Sequence, residues 1–372
     1  MPCFTRKKGA AMRRINWMPL IFFLLAIVGW YYSGMSSAFV INETIIRFIR
    51  DGVLVLALLV PITAGMGINF AISIGAISAQ IGILTIIILQ IPGIQGLMLG
   101  TIIALIIAVL LGYVLGRVLN RVKGKEMITT IIIGFLANGI YQLIFLLGYG
   151  TVIKPLNQEI LLSRGIGIRN MVDLISFRNL MDQIWLLQLG SIKLPLFMIF
   201  LVLFFCLIVA YFMNTRTGQK FRLAGEDMDK AAALGIDVNA VRIQAMMVST
   251  VLACLGQILF LQNMGMLNVY TAHLQCDIFA AAALLAGGAS IKQARVRHVI
   301  LGIFLFHSLF IVSPQAGQNL FGNAALGEYF RSFIAYGTIA LALVLNRQES
   351  RNRSLFSLPY VSISGHTHME QK

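Results

Sequence analysis

The chain has 372 residues, of which 58% are hydrophobic and 12% charged, about half the charged share of an ordinary soluble domain. That composition excludes a soluble enzyme. The 29 Lys and Arg exceed the 14 Asp and Glu by 15, a surplus that in a soluble chain would point to nucleic acid and here has to be mapped onto loops first.

The apolar residues gather into stretches of about 17 to 25, long enough to cross a hydrocarbon core of roughly 30 Å at 1.5 Å per residue. Runs such as Thr101 to Leu111 are apolar all round, unlike the alternating strands of a transmembrane β-barrel. The expected fold is all-α, a polytopic transmembrane helical bundle of about ten spans with broken mid-membrane segments. In chain order the spans are Trp17–Val40, Gly52–Ile72, Ser73–Ile91, Leu97–Leu119, Met127–Leu147, Leu194–Met213, Val241–Gln262, Cys276–Ser290, His298–Ser313 and Glu328–Leu345. With the amino terminus in the cytoplasm, Arg47, Arg50, Lys154, Arg164, Arg169, Arg178, Lys193 and Arg331 fall outside and every other Lys and Arg inside. The positive-inside rule therefore predicts both termini in the cytoplasm.

This divides the chain into a basic cytoplasmic segment, 1–16, a membrane domain, 17–346, and a polar, disordered cytoplasmic tail, 347–372. The membrane domain carries a long external loop at 148–193 and a cytoplasmic loop at 215–240. The first span has a basic flank and ends near Ser36-Ser37-Ala38; its length makes it an uncleaved anchor rather than a cleaved leader.

Several chemistries are excluded. The only Gly-Lys pair, Gly124-Lys125, lacks the upstream glycine and the hydroxyl residue of a phosphate-cradling loop, so no ATP site of that type is present. His273, His298, His307, His366 and His368 form no metalloprotease array, and Cys3, Cys206, Cys254 and Cys276 have no metal-ligand spacing. The only acidic groups expected within spans, Asp277 and Glu328, lie near span ends, which argues against a buried proton relay. His307 is mid-span and reads as a helix-packing group.

Two segments carry signals. Ala64-Gly-Met-Gly-Ile-Asn-Phe-Ala-Ile-Ser-Ile-Gly-Ala-Ile-Ser-Ala-Gln-Ile-Gly82 has glycines at 65, 67, 75 and 82 with Asn69, Ser73, Ser78 and Gln80 between them. Two readings fit equally: broken backbone lining a solute path, or small residues that let helices approach closely. The second segment is Arg222-Leu-Ala-Gly-Glu-Asp-Met-Asp-Lys-Ala-Ala-Ala-Leu-Gly-Ile-Asp237. Glu226, Asp227 and Asp229 head a short helix that Gly235 would cap. Its exposed apolar face is expected at Met228, Ala231, Ala232 and Gly235; a solvated connector is the alternative.

The second segment resembles the coupling loop of ATP-binding-cassette importer permeases of the branched-chain amino acid and simple-sugar group, whose usual pattern is Ala-x-Gly-x-Asn-x-x-Ala-Ala-x-x-x-Gly-Ile. Ala224, Gly225, Ala231, Ala232, Gly235 and Ile236 match it, and Asp227 replaces the common Asn. The first segment is similar to the family's glycine-rich segment, without its Asp-Leu-Ser core. Asp277 through Ser290 is similar to the family's Ala-Ala-Val-x-Leu-Gly-Gly-x-Ser run, with Lys292-Gln-Ala-Arg295 in place of the usual glycine-rich continuation. The resemblance runs from about Gly52 to Asn346.

The resemblance implies the membrane subunit of an ATP-driven importer, in the plasma (bacterial inner) membrane, moving a simple sugar or nucleoside delivered by an extracytoplasmic solute-binding protein. A branched-chain amino acid permease and an ion-coupled secondary transporter are the alternatives. ATP with Mg²⁺ would be held by a partner ATPase and no cofactor by this chain. The partners implied are that ATPase, a second permease copy or a related permease, the binding protein and the lipid bilayer, with no nucleic acid. Coupling to the ATPase would fall to Gly225, Glu226, Asp227, Ala231, Ala232 and Gly235. For the translocation path the candidates are Asn69, Gln80, Asn138 and Gln142, neutral amides that can both donate and accept; an interhelical hydrogen bond is the other reading of each. The loops 148–193 and Pro314–Gly327 would face the binding protein, or be plain solvated loops.

Overall fold

Where no water can satisfy a backbone, a chain spans only as helices or a closed barrel, and these apolar runs fold as helices. The computed structural model describes residues 17–356 apart from 154, 156–159, 164 and 179. The basic segment 1–16, Lys154, Glu159, Arg164 and the tail from 357 onward lie outside the described residues.

Helix α1, Trp17–Ser33, ends at Gly34, whose φ of +63° turns the chain. Ser36 then caps α2, Ser37–Ala57, by accepting from Phe39 N–H at 3.4 Å. The first span is therefore shorter than expected, and Ser36-Ser37-Ala38 opens a helix instead of closing one. After α3, Leu59–Thr63, the backbone is broken through Ala64–Asn69, makes a tight turn at Phe70–Ile72 and continues as α4, Ser73–Ile88. Helix α5 covers Gly93–Arg121, and α6, Glu126–Leu143, ends in a widened turn over Ile144–Gly148.

The 148–193 loop contributes β1, Met171–Asp173, and β2, Leu186–Leu189; β2 pairs antiparallel with β3, Ile192–Pro195. Helices α7, Leu196–Phe212, and α8, Arg216–Glu226, are bent 72° apart. They lead into α9, Met228–Ala233, and α10, Val238–Met264. Strand β4, Met266–Asn268, pairs with β1 and precedes the short α11, Cys276–Ala286. The chain closes with α12, Val296–Phe321, and α13, Ala324–Phe356. The described residues are thus mostly helical, with two small sheets among them that the sequence does not announce.

Among the described residues, five helical stretches are long and apolar enough to cross a membrane: Phe70–Ile88, Gly93–Arg121, Glu126–Gly148, Val238–Met264 and Val296–Phe321. A sixth is added if the bent α7–α8 pair is one span. The 11 residues of α11 reach only about 16 Å at 1.5 Å per residue, half a bilayer.

Helix α10 is the hub of the bundle, packed on α2, α4 and α5. Glycines allow these approaches: a Cβ on Gly75 of α4 would sit 2.5 Å from the Thr250 carbonyl, and one on Gly82 would sit 2.4 Å from the Gly100 carbonyl. For Gly75 and Gly82 the close-packing reading is the one observed.

Three further expectations are corrected. Arg47 and Arg50 lie within α2, not in an external loop. Arg50 donates to Asn263, which with Gln262 donates to the Asp182 carboxylate at 2.8 and 2.9 Å. The guanidinium groups of Arg47 and Arg331 lie 5.1 and 3.9 Å from the Phe310 ring centre, and the Asp51 carboxylate lies 3.1 Å from His307 Nε2. Charge inside the helices is therefore compensated between helices, and acidic groups there are not confined to Asp277 and Glu328. Next, Pro314–Gly327 is not a loop, because α12 continues through Pro314 to Phe321 and stops where Gly322 turns left-handed. Finally, residues 347–356 of the expected tail continue α13 as helix.

Candidate functional site

The loop after α7 turns sharply: a Cβ on Gly218 would lie 2.4 Å from the Phe212 carbonyl, and Thr215 caps α8. Arg222–Glu226 therefore belongs to α8, so Glu226 ends one helix instead of heading the next. Asp227 is extended, at φ −160° and ψ 109°, and its side chain accepts from the N–H groups of Asp229 and Lys230, both at 3.1 Å. The Lys230 ammonium lies 3.0 Å from the other oxygen. The Lys230 N–H and then its ammonium hold the Asp227 carboxyl below the usual carboxylate value. The helix ends with Ile236 N–H on the Ala231 carbonyl and Gly235 N–H on the Ala232 carbonyl, the pattern that asks for a left-handed residue. Gly235 supplies it with φ +78°.

The expected outward face is rotated. Ala231 is 1% exposed and faces the bundle, and Met228 is half-buried with its sulfur 3.7 Å from Arg242 Nη1. Ala232, Ala233, Leu234 and Gly235 are exposed instead, Leu234 at 70%, with Glu226 exposed beside them. Met228 and Ala231 share the inward side of α9, where the buried Arg242 lies. Since the cap acts through an ionised carboxylate whose folded pKa lies below its unfolded one, its contribution is complete above about pH 4. It is lost as pH falls through the lowered folded value. Asp227→Ala should fray α9 in the same way at neutral pH, read as faster amide exchange at Lys230 and Ala231 with the rest of the bundle unchanged.

Behind this loop Arg242 of α10 is fully buried. Its Nη2 donates to Glu126 Oε1 at 2.6 Å and to the Leu119 carbonyl at 3.2 Å, and its Nε donates to Asn120 Oδ1 at 2.9 Å. One guanidinium thus joins the end of α5, the start of α6, α9 and α10.

A second polar cluster lies between α4, α6 and the segment joining α10 to α11. The Gln80 amide is oriented so that its oxygen accepts from His273 N–H at 3.2 Å. Its two N–H groups are shared among three acceptors, the Tyr141 hydroxyl at 2.8 Å, His273 Nδ1 at 3.1 Å and the Val269 carbonyl at 3.3 Å. His273 Nε2–H then donates to Asn138 Oδ1 at 2.6 Å, and Gln142 Nε2 donates to the same oxygen at 3.3 Å. The imidazole is neutral in this arrangement, with one nitrogen accepting and the other donating. Tyr141 packs edge-on against it at 4.9 Å. Tyr270 anchors the segment by donating to the Ile168 carbonyl at 2.8 Å. Gln80, Tyr141 and His273 are buried while Asn138 and Gln142 are half-exposed.

Three of the four path candidates, Gln80, Asn138 and Gln142, are therefore brought together. Asn69 is not among them: it is buried, accepts from Ala71 N–H at 2.9 Å and donates to Ser249 Oγ at 3.3 Å. His273, Tyr141 and the Arg242–Glu126 pair were missed.

A family model described as branched-chain amino acid transport system, permease component, matches residues 40–343. The chain belongs to this family. No curated protein matches it, and no solved structure does. It is a multi-pass membrane protein and a permease component of an ATP-binding-cassette transporter family for branched-chain amino acids and sugars, a transport subunit rather than an enzyme.

Proposed function

We propose that this permease carries a small, uncharged, hydroxylated solute, a simple sugar or a nucleoside, across the plasma membrane of a bacterium, driven by a separate ATPase and fed by an extracytoplasmic binding protein. The observation that carries the solute class is the Gln80–His273–Asn138–Gln142 cluster, with Asn138 and Gln142 at its open side. Paired donors and acceptors suit hydroxyls, whereas an amino acid zwitterion calls for charged partners, and none of these four side chains carries one. Ten passes fit the chain if α2 with α3 is one crossing and α11, entered through the 265–275 segment, is another. Both termini then lie on the α8–α9 side, the cytoplasmic one, and the strands outside. Two permease copies, or two related permeases, would face each other around the path, with ATP and Mg²⁺ on the ATPase.

Coupling is assigned to the Ala232–Gly235 face, which a partner's groove would grip, with Glu226 at its edge. A Cβ on Gly235 meets nothing within 4 Å in this chain. In proteoliposomes holding the permease, its ATPase and its binding protein, Gly235→Trp should lower ATP-driven uptake by at least tenfold. Gly235→Asn, which tolerates the left-handed conformation, should stay within about threefold. Equal uptake by Gly235→Trp and wild type, or uptake driven by a proton gradient without ATP, would sink the assignment. Transport of leucine but not of any monosaccharide or nucleoside would reverse the solute class.

A further inference from the structure

We infer that the backbone contact between Gly225 and Thr63–Gly65 is the joint that carries movement of the α8–α9 loop into the broken segment, and from there to the two helices that hold the polar cluster. The inference rests on the coupling role proposed above. A Cβ on Gly225 would lie 2.2 Å from the Thr63 carbonyl oxygen and 2.9 Å from Gly65 N, and one on Gly65 would lie 2.7 Å from Gly225 Cα. Main chain therefore touches main chain, with no rotatable side chain between to absorb a displacement. Both sides are stiff. On one, Gly65 N–H and Met66 N–H bond back to the Ile62 and Pro61 carbonyls at 3.1 and 3.0 Å, closing α3, and Gly65 holds φ +77°. On the other, Ala224 is buried, and Asp227 two residues on caps α9.

Beyond the joint the broken segment divides its contacts between α4 and α6. Thr130 Oγ1 of α6 accepts from Phe70 N–H at 3.3 Å, and the Cβ position of Gly67 is 3.1 Å from the Met127 side chain of α6. The Phe70–Ile72 turn runs straight into α4 at Ser73. Gln80 is on α4 and Asn138 on α6, and His273 bridges them through contacts of 3.1 and 2.6 Å. Hydrogen bonds of this kind are lost beyond about 3.5 Å. A relative shift of about 1 Å between α4 and α6 therefore opens the bridge, and the segment that the joint moves is the one that touches the starts of both helices.

Gly225 and Gly65 are thus positioning residues for transport. The test uses the whole complex of permease, ATPase and binding protein. Gly225→Ala must push the Thr63 carbonyl away; the expected result is ATP hydrolysis within about twofold of wild type with uptake at least tenfold lower. Amide exchange is read in parallel. In the wild-type complex a non-hydrolysable ATP analogue should change exchange across residues 64–75, and in Gly225→Ala that change should vanish while the change in α9 persists. Wild-type uptake from Gly225→Ala overturns the joint, and so does an unchanged 64–75 segment in wild type, which decides the matter even if the variant fails to fold. If the wild-type complex shows no ATP-driven uptake, the coupling role itself falls, and that outcome is separate from a failure confined to Gly225→Ala.

Discussion

Glu126→Ala should cost the fold about 3–5 kcal/mol, the usual result of leaving a buried charge without its partner. Arg242 is fully buried, and among the described residues Glu126 is its only carboxylate partner, at 2.6 Å. The neutral acceptors, Asn120 Oδ1 and the Leu119 carbonyl, orient the guanidinium but do not neutralise it. Arg242→Lys should cost less but still register, because an ammonium cannot reproduce the fork that meets Glu126, Asn120 and Leu119 together. Replacing both members, Arg242→Met with Glu126→Leu, should return most of the stability, since apolar pairs of similar volume replace buried ion pairs at little cost. The measurement is thermal or denaturant unfolding of the detergent-solubilised protein for wild type, Arg242→Met, Glu126→Leu and their double, read as a double-mutant cycle, with Glu126→Ala and Arg242→Lys measured beside it. A Glu126→Ala loss below about 1 kcal/mol would show that the pair is solvated in solution. Because the same guanidinium reaches Met228 Sδ, the double variant should keep its fold yet loosen α9, visible as faster exchange there.

Arg242 also shows how far the sequence could be read. As a basic residue at the start of an apolar run it reads as one of the orienting charges on the cytoplasmic side. Its helical phase held a better clue: Ala245, Met246 and Ser249, at i+3, i+4 and i+7, are all buried with it, so its own face points inward. What the sequence could not supply was the partner, 116 residues away. The same holds for α2. Arg47, Arg50 and Asp51 interrupt its apolar run, so a hydropathy window opens the span at Gly52, yet the helix starts at Ser37. Its charges are met by Asn263, His307 and Phe310 from α10 and α12. Where an apolar run was clean, the ends were legible to within a few residues: α5 begins just after the extended Pro92, and α10 ends where Gly265 turns left-handed at φ +70°. Pro314 misled because proline in a helix interior is costly. Here α12 runs through it, and α13 crosses close beside it, a Cβ on Gly327 falling 2.6 Å from Pro314 Cα.

The polar cluster was half legible for a similar reason. An amide inside an apolar run stands out, as Gln80, Asn138 and Gln142 do. His273 does not, because it lies in the irregular stretch between α10 and α11, and its partners Gln80 and Asn138 are 193 and 135 residues away in sequence. Asn69 looked the same as the other amides, but its neighbour two residues on decides its role: its side chain accepts from the Ala71 N–H and so holds the turn that opens α4.

His273→Phe should lower uptake by about tenfold or more with little loss of stability. Phenylalanine keeps a ring to pack on Tyr141 and removes both nitrogens. Gln80 would retain the Tyr141 hydroxyl, the Val269 carbonyl and His273 N–H, and Asn138 Oδ1 would retain Gln142, so no group is left wholly unpaired. Interhelical hydrogen bonds in membrane proteins average about 0.6 kcal/mol each, which puts the stability cost of losing two near 1 kcal/mol. Transport is more sensitive, because the 2.6 Å bond from His273 Nε2 is what fixes the Asn138 amide plane, and a misaimed donor forfeits about 1.4 kcal/mol for each tenfold in affinity. The two effects separate in one experiment: the midpoint of thermal unfolding should move little, the solute concentration for half-maximal uptake should rise, and ATP hydrolysis should persist. His273→Gln, which restores one donor and one acceptor, should recover part of the uptake. Wild-type uptake from His273→Phe would reduce the cluster to a packing device and remove the basis for assigning a hydroxylated solute.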